Sequence, residues 1–193
     1  MNNAFLIGPK VYLRPLEPAD APVIAPWLND QEVTRFTLQY RPMTLAREQE
    51  FLAQAGNSEK NLALGIVPRA SDRLIGVTGL HLMDFRQRHC SFGIILGVKE
   101  EWNKGYGTEA TRLIVDHAFR TLNFNRVWLH VHEFNERGVR TYEKAGFRKE
   151  GRLRQDCYRD GRYWDTLVMG ILRAEWDAEG ADATDDHGSK TEA

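Results

Sequence analysis

The chain has 193 residues, 42% of them apolar and 27% charged, with a formal net charge of −1 at pH 7. This length favours one domain with a hydrophobic core, and the near-zero charge argues against nucleic acid or an anionic membrane as a partner. The two cysteines, Cys90 and Cys157, match neither a disulfide framework nor a zinc site. We therefore expect a protein of the reducing cytoplasm.

The two ends of the chain carry no targeting or membrane signal. The first ten residues lack the basic start and apolar run of a signal peptide, and no apolar run approaches the roughly 20 residues that span a bilayer. Residues 178–193 are acidic and lack apolar periodicity. We therefore predict a single domain over residues 1–177 and a disordered acidic tail over 178–193. Without that tail the body is slightly basic, which suits an anionic small ligand.

Hydrophobic periodicity predicts a mixed α/β domain with the element order β-α-α-β-β-β-α-β-α-β-β. In chain order, the predicted elements are a strand at 10–16, a helix opened by Pro18 and Asp20, a helix from Thr44 to about Ala55, strands at 61–68, 73–84 and 90–98, a helix at 108–122, a strand at 126–134, a helix from Asn135 to Gly146, and two final strands at 147–159 and 162–172. Asp160 and Gly161 between the last two strands are a strong hairpin signal. Glycines inside the strand at 90–98 predict a bulge or the close approach of another group.

The run EEWNKGYGTEA, residues 100–110, puts Gly105 and Gly107 directly before the strongest helix. Glycines there let the backbone come close to a ligand, and the unpaired first-turn N–H groups at the positive end of the helix dipole suit a phosphate. A tight strand-to-helix turn needs glycines equally, so the pair alone leaves both interpretations open. The spacing matches neither a P-loop nor a dinucleotide-binding fingerprint.

Three segments resemble successive motifs of the GNAT (GCN5-related) N-acetyltransferases. These are GIILGVKEEWNKGYGTEATRLIVDHAF, VHEFNERGVRTYEKAGF and EGRLRQDCYRDGRYWDTLVMGILRAEW. With VYLRPLEPADAP near the start, the resemblance covers roughly residues 10 to 176. The nearest branch resembles the acetyltransferases of ribosomal-protein N-termini. The resemblance implies the GNAT fold with a splayed central sheet, acetyl-CoA as co-substrate, and transfer of acetyl to an amine.

The resemblance also implies a binding site for acetyl-CoA. In the family, the strand before the glycine loop splays away from the next strand, and the pantetheine arm lies in the gap. Backbone groups of Ile94, Ile95 and Leu96 would pair with that arm. The pyrophosphate would be held by the amides of Lys104, Gly105, Tyr106, Gly107 and Thr108. Trp102 stands where the family usually has Gln or Arg, so we expect no side-chain phosphate contact there.

Two residues carry catalytic or positioning roles in the resemblance. Asn135 matches the asparagine that meets the pantetheine arm, and Tyr142 matches a tyrosine near the thioester sulfur. A phenol suits that place, because it donates a hydrogen bond to a departing thiolate while staying protonated at neutral pH. Asn135 could equally be a plain helix cap, and Tyr142 a packed aromatic. Gly138 stands where relatives often have Ser or Ala, so a serine acid is absent.

The general base stays open. An alkyl amine is mostly ammonium at pH 7 and must lose a proton before it attacks. Ser91 stands where many relatives carry a glutamate. The alternatives are His81, His130, His132, Glu32, Glu133 and a chain of water molecules. His130 and His132 share a strand face and could bind a metal, but no third ligand is evident, so we expect none.

The function favoured by the sequence is direct acetyl transfer to the α-amine of a protein or peptide. A small-molecule amine such as a polyamine, an amino acid or an antibiotic is the alternative, followed by a non-catalytic acyl-CoA sensor and a purely structural domain. The 3′-phosphate of CoA could meet basic residues that otherwise form a solvated face, namely Arg137, Arg140, Arg148, Lys149, Arg152 and Arg154. Monomer and homodimer both remain open.

Overall fold

A computed structural model describes residue 1 and residues 3–178, which form an eight-stranded sheet with helices on both faces. The elements are β1 (Leu6–Ile7), β2 (Val11–Pro15), α1 (Ala21–Asn29), α2 (Gln31–Thr34), α3 (Leu45–Ala55), β3 (Leu62–Pro68), β4 (Gly76–Asp84), β5 (His89–Leu96), α4 (Tyr106–Arg120), β6 (Arg126–His132), α5 (Glu136–Lys144), β7 (Arg148–Arg159) and β8 (Arg162–Leu172). Residues 173–178 add a last helical turn. The predicted mixed α/β class is confirmed, with β1 and α2 as elements that periodicity did not predict.

The strand order in the sheet is β1-β2-β3-β4-β5-β6-β8-β7. Every neighbouring pair is antiparallel except β5 and β6, which are parallel. Two apolar cores lie on the sheet. The larger one includes residues of α4 and α5, and the smaller one includes residues of α1 and α3. The sheet therefore separates an α4/α5 side from an α1/α3 side.

Strands β5 and β6 pair at only three positions. The partners are His89 with Arg126, Cys90 with Val127, and Ser91 with Trp128. Beyond them, β5 stays paired with β4 and β6 stays paired with β8, each to its own end. Each strand therefore follows its outer neighbour, and the twist of the sheet parts the two strands. The predicted splay of the central sheet is present.

The glycine loop differs from the prediction in one respect. Gly105 is the N-cap of α4 and has a φ of 86°, a left-handed value that glycine adopts without strain. The helix begins at Tyr106, so Gly107 lies inside its first turn and not before it. The pattern placed the start at residue 108 because the apolar periodicity is clear only from Ala110 onward.

Strand β5 ends at Leu96, two residues before the predicted end at 98. The amide of Gly97 donates to the carbonyl of Ile75, and a side chain on Gly97 would collide with the indole of Trp27. This is the close approach that the internal glycines predicted. The hairpin is also confirmed, since Asp160 and Gly161 have φ values of 54° and 79°, as a tight turn between twisted strands requires.

The acidic tail predicted for 178–193 lies, apart from residue 178, outside the described residues, and the division into domain and tail stays a prediction. Within residues 1 and 3–178, no helix has both the length and the apolar character needed to cross a membrane.

Replacing Gly97 with alanine should destabilise the fold. The added methyl group would overlap the Trp27 ring, and overpacking of this kind costs about 1–3 kcal/mol of unfolding free energy. Gly56→Ala is the matched control, because the space around Gly56 is empty and its φ is −67°. Thermal denaturation should show a lower Tm for the first variant only, and equal Tm values would contradict the packing described here.

Candidate active site

The first turn of α4 faces a cavity of about 630 Å³. The first backbone bond of the helix runs from the amide of Glu109 to the carbonyl of Gly105. The amides of Tyr106, Gly107 and Thr108 therefore have no acceptor within the helix, and all three residues line the cavity. These amides and the helix dipole favour an anion here.

Lys104 takes a different place from its neighbours in this loop. Its ammonium pairs with the carboxylate of Glu101 at 2.9 Å, and that hydrogen bond raises the pKa of Lys104. Lys104 is not part of the cavity lining, whereas Gly105, Tyr106 and Gly107 are. A role for Lys104 in holding a phosphate stays a prediction. To bind a phosphate, its ammonium would have to leave the ion pair with Glu101.

The open edge of β5 lines the same cavity through Ile94, Ile95 and Leu96. Backbone groups alternate sides along an antiparallel strand. Because the amide of Gly97 donates to the carbonyl of Ile75, the residue directly before β4, the groups of Ile94 and Leu96 point away from β4, towards the gap left by β6. The Leu96 carbonyl already accepts a hydrogen bond from the Trp102 indole at 2.9 Å. The two open groups of Ile94 and the Leu96 amide therefore remain for a ligand in the gap.

Asn135 lies where the gap meets the N-terminus of α5. Its Oδ1 accepts a hydrogen bond from the amide of Gly138 at 2.9 Å, so it is the helix cap that the sequence suggested. A Cβ on Gly138 would collide with this folded-back amide, which explains why glycine fits there. The side chain is buried, and no residue in the described part of the chain binds its Nδ2. The Oδ1 of Asn135 thus caps the helix, while its Nδ2 stays available to donate a hydrogen bond to a ligand.

Tyr142 is also buried beside the gap. Its ring packs edge-to-face against Phe92, with 5.9 Å between centroids, and lies near Phe147. Burial raises the pKa of its phenol to about 12, so the group is protonated at neutral pH. Its hydroxyl has no hydrogen-bond partner among residues 1 and 3–178. Tyr142 lines both cavities, so its hydroxyl can donate a hydrogen bond to a ligand bound there.

A second cavity, of about 670 Å³, lies on the α1/α3 side of the sheet. Its walls come mainly from α1, α3, β4, β5 and β6, with the segment that follows α2. The two cavities meet at residues that line both, namely Phe36, Thr37, Ile94, Ile95, Asn135 and Tyr142. The two cavities therefore adjoin at the splay of β5 and β6, and Tyr142 and Asn135 border both of them.

The two glutamates considered as bases are already paired and line neither cavity. Glu32 binds the ammonium of Lys99 at 3.0 Å. Glu133 lies 3.4 Å from Arg152 and accepts a hydrogen bond from the amide of Asp165. Both carboxylates are engaged by other groups and lie outside the two cavities, so neither is placed to take a proton from an amine bound there.

All three candidate histidines line the second cavity, and their surroundings differ. His130 is exposed and packs on Trp128. His132 is buried, and its Nδ1 lies 3.1 Å from the hydroxyl of Thr166. The imidazole of His81 has no hydrogen-bond partner in the described part of the chain. Among the described residues His130 has no hydrogen-bond partner either, so His81 differs from it in being the more enclosed of two unpaired imidazoles.

His81 lies on β4, directly over Gly93 of β5. A Cβ on Gly93 would come within 3.2 Å of its Nε2, so the glycine makes room for the imidazole. Burial lowers the pKa of His81 below its usual value near 6.5, which keeps the ring neutral at pH 7. A neutral imidazole with a free nitrogen can accept a proton.

Two features of the site escaped sequence reasoning. The guanidinium of Arg137 stacks on the Trp102 ring at 3.7 Å from its centroid, and both side chains line the first cavity. Phe36 and Thr37 line both cavities, and the β7–β8 hairpin holds their segment in place. Arg35 pairs with Asp160, and Arg159 donates to the Thr37 carbonyl. These contacts join residues far apart in sequence, and no local pattern signals them.

Of the basic residues considered for a phosphate, Arg137 and Arg140 line the first cavity. Members of the β7 group instead pair with neighbouring carboxylates; Arg148 binds Glu175 and Lys149 binds Glu143.

Across residues 1 and 3–178, no group of three or more His, Cys, Asp or Glu side chains is arranged to bind a metal ion.

Comparisons with known proteins identify the family. The acetyltransferase (GNAT) domain matches residues 10–148. The crystal structure of spermidine N-acetyltransferase from Vibrio cholerae in complex with CoA and spermine superposes with a TM-score of 0.79 and 25% identity, covering 88% of this chain and 99% of that one.

The relatives include proteins with named activities. Spermidine N(1)-acetyltransferase of Escherichia coli is 28% identical over 169 residues, 88% of this chain and 89% of that protein. The putative ribosomal N-acetyltransferase YdaF of Bacillus subtilis is 33% identical over 106 residues, 55% of this chain and 57% of that protein. With a family match over most of its length and a neighbour bound to CoA, this chain belongs to the GNAT family and is an acetyl-CoA-dependent N-acetyltransferase.

Proposed function

We propose that this enzyme acetylates a primary amine of a small molecule that binds in the second cavity. The observation that carries the proposal is the meeting of two cavities at Tyr142 and Asn135, with the free imidazole of His81 on the side away from the α4 loop. A cavity of about 670 Å³ is of the size that small ligands occupy.

The acceptor class follows from the comparisons together with the cavity. The sequence favoured a protein α-amine, through the resemblance to acetyltransferases of ribosomal proteins. Spermidine N(1)-acetyltransferase of Escherichia coli aligns over 88% of this chain, whereas the putative ribosomal relative aligns over 55% of it. These findings support a small-molecule acceptor better than a protein N-terminus. Membership of the branch that acetylates ribosomal proteins stays a prediction. So do the cytoplasmic location of the protein and its state as a monomer or homodimer.

The donor site fits acetyl-CoA, which supplies the activated acetyl group when bound. The amides of Tyr106, Gly107 and Thr108 would hold the pyrophosphate at the positive end of α4. Ile94, Leu96 and the Nδ2 of Asn135 offer unpaired backbone and side-chain groups along the gap, matching the amides of a pantetheine arm. The roles of these residues are our proposal.

Direct transfer needs a proton acceptor on one side of the gap and a donor on the other. We assign the acceptor to His81, which takes the proton that the amine nitrogen loses as the carbon–nitrogen bond forms. We assign the donor to Tyr142, whose hydroxyl stabilises the sulfur as the carbon–sulfur bond breaks. A covalent acetyl-cysteine has little support, because Cys90 and Cys157 are both buried and burial raises the pKa of Cys90 to about 12.

Tyr142→Phe should lower kcat by roughly 10²- to 10⁴-fold with little change in the affinity for acetyl-CoA. Phenylalanine keeps the packing on Phe92 and removes only the hydroxyl. Steady-state kinetics with a responsive amine, together with calorimetric binding of CoA, would measure both quantities. A kcat within about threefold of the parent enzyme would remove Tyr142 from the mechanism.

His81→Gln should lower kcat/KM by roughly 10²-fold or more, because glutamine cannot accept the proton. The pH profile is the sharper readout. In the parent enzyme, protonation of His81 should cut activity only below its usual pKa near 6.5, since burial lowers that pKa. The variant should lose this acidic limb and gain activity steadily as the amine deprotonates. His130→Gln, in the same cavity, is the control and should keep the parent profile. An unchanged profile in His81→Gln would assign the base elsewhere.

A further inference from the structure

Glu48 of α3 is a buried carboxylic acid without a partner. Its exposed fraction is 3%, and it lines the second cavity. Among the residues that the structure describes, no hydrogen bond or ion pair engages its carboxylate. Glutamate is almost never this deeply buried unless it is paired. The residue therefore lacks the interaction that would justify its burial.

The elements packed against α3 supply no counter-charge. Helix α1, from Ala21 to Asn29, contains no charged residue. In the turn before it, Asp20 is bound through both carboxylate oxygens by Arg14, at 2.7 and 2.8 Å, so Arg14 is already committed. Arg47, the neighbour of Glu48 in α3, also lines this cavity, but its side chain is exposed to solvent and forms no ion pair with Glu48.

The rest of the cavity near α3 is mostly apolar. Trp27, Leu28, Phe51 and Leu52 contribute to its walls around Glu48. In such surroundings an ionised carboxylate is costly, and burial raises the pKa of Glu48. A bound cation would offset this cost, because it supplies both the opposite charge and the hydrogen-bond donors that the protein lacks.

We propose that Glu48 is the specificity-determining residue for the acceptor, binding a second cationic group while the reacting amine lies at Tyr142. This inference rests on the proposed function, since it takes the second cavity as the acceptor site. The acceptor it fits is a diamine with an apolar spacer, which lies against the walls between Glu48 and Tyr142. A monoamine of equal length would leave Glu48 unpaired.

The test uses acetyl-CoA with α,ω-diaminoalkanes of four to ten carbons and the n-alkylamines of equal carbon number. The parent enzyme should prefer the best diamine over its matched monoamine in kcat/KM. Glu48→Gln keeps the shape and removes the charge, so it should lower kcat/KM for that diamine by about tenfold or more, mainly through KM. Its kcat/KM for the monoamine should stay within about twofold. Glu50→Gln, an exposed glutamate of the same helix, is the matched control and should behave as the parent.

Two results would overturn the inference. One is an equal decrease in kcat/KM for the diamine and the monoamine in Glu48→Gln, which would indicate a structural role for Glu48. The other is no loss at all. A parent enzyme that acetylates neither series would contradict the proposed acceptor class. Calorimetric titration of the diamines into the CoA-bound enzyme would then test the role of Glu48 separately. Diamine binding that is weaker in Glu48→Gln than in the parent enzyme supports the inference. Absence of diamine binding to the parent enzyme overturns it.

Discussion

The site depends on a single constraint, the limited pairing of β5 with β6. These strands share only three paired positions, from His89 to Ser91, and then each follows its outer neighbour. A fully paired sheet would satisfy the backbone groups of Ile94 and Leu96 and would seal one face from the other. Parting the strands leaves polar backbone unpaired inside the protein, a cost that native structures rarely accept without a ligand or water to offset it.

The same parting brings unpaired side-chain groups together at the centre of the sheet. The hydroxyl of Tyr142, the Nδ2 of Asn135 and the imidazole of His81 all lack partners in the part of the chain that the structure describes. Each has another contact that positions it. Tyr142 packs on the ring of Phe92, Asn135 accepts the cap hydrogen bond from Gly138, and His81 occupies the space over Gly93. The protein thus fixes the position of these groups by packing and leaves their hydrogen-bonding capacity for substrates.

Local signals predicted the elements well, because the apolar periods, the Asn135 cap and the Asp160–Gly161 turn each act within a few residues. The resemblance to GNAT enzymes located the donor loop and the residues Asn135 and Tyr142. The start of α4 was misplaced, since its first turn lines a cavity and carries no apolar periodicity. Glu48 could not be found, because its burial depends on α1 and the turn before it, which pack on α3 from an earlier part of the chain.

The most direct test of this account is hydrogen–deuterium exchange with and without saturating acetyl-CoA, read by NMR at individual amides. We expect slower exchange at Ile94 and Leu96 in the gap and at Gly107 and Thr108 in the first turn of α4, with no comparable change in α3. These amides have no protein acceptor before the ligand binds. Unchanged exchange at all four positions in the saturated complex would contradict the claim that the splayed strands and the α4 turn hold the donor.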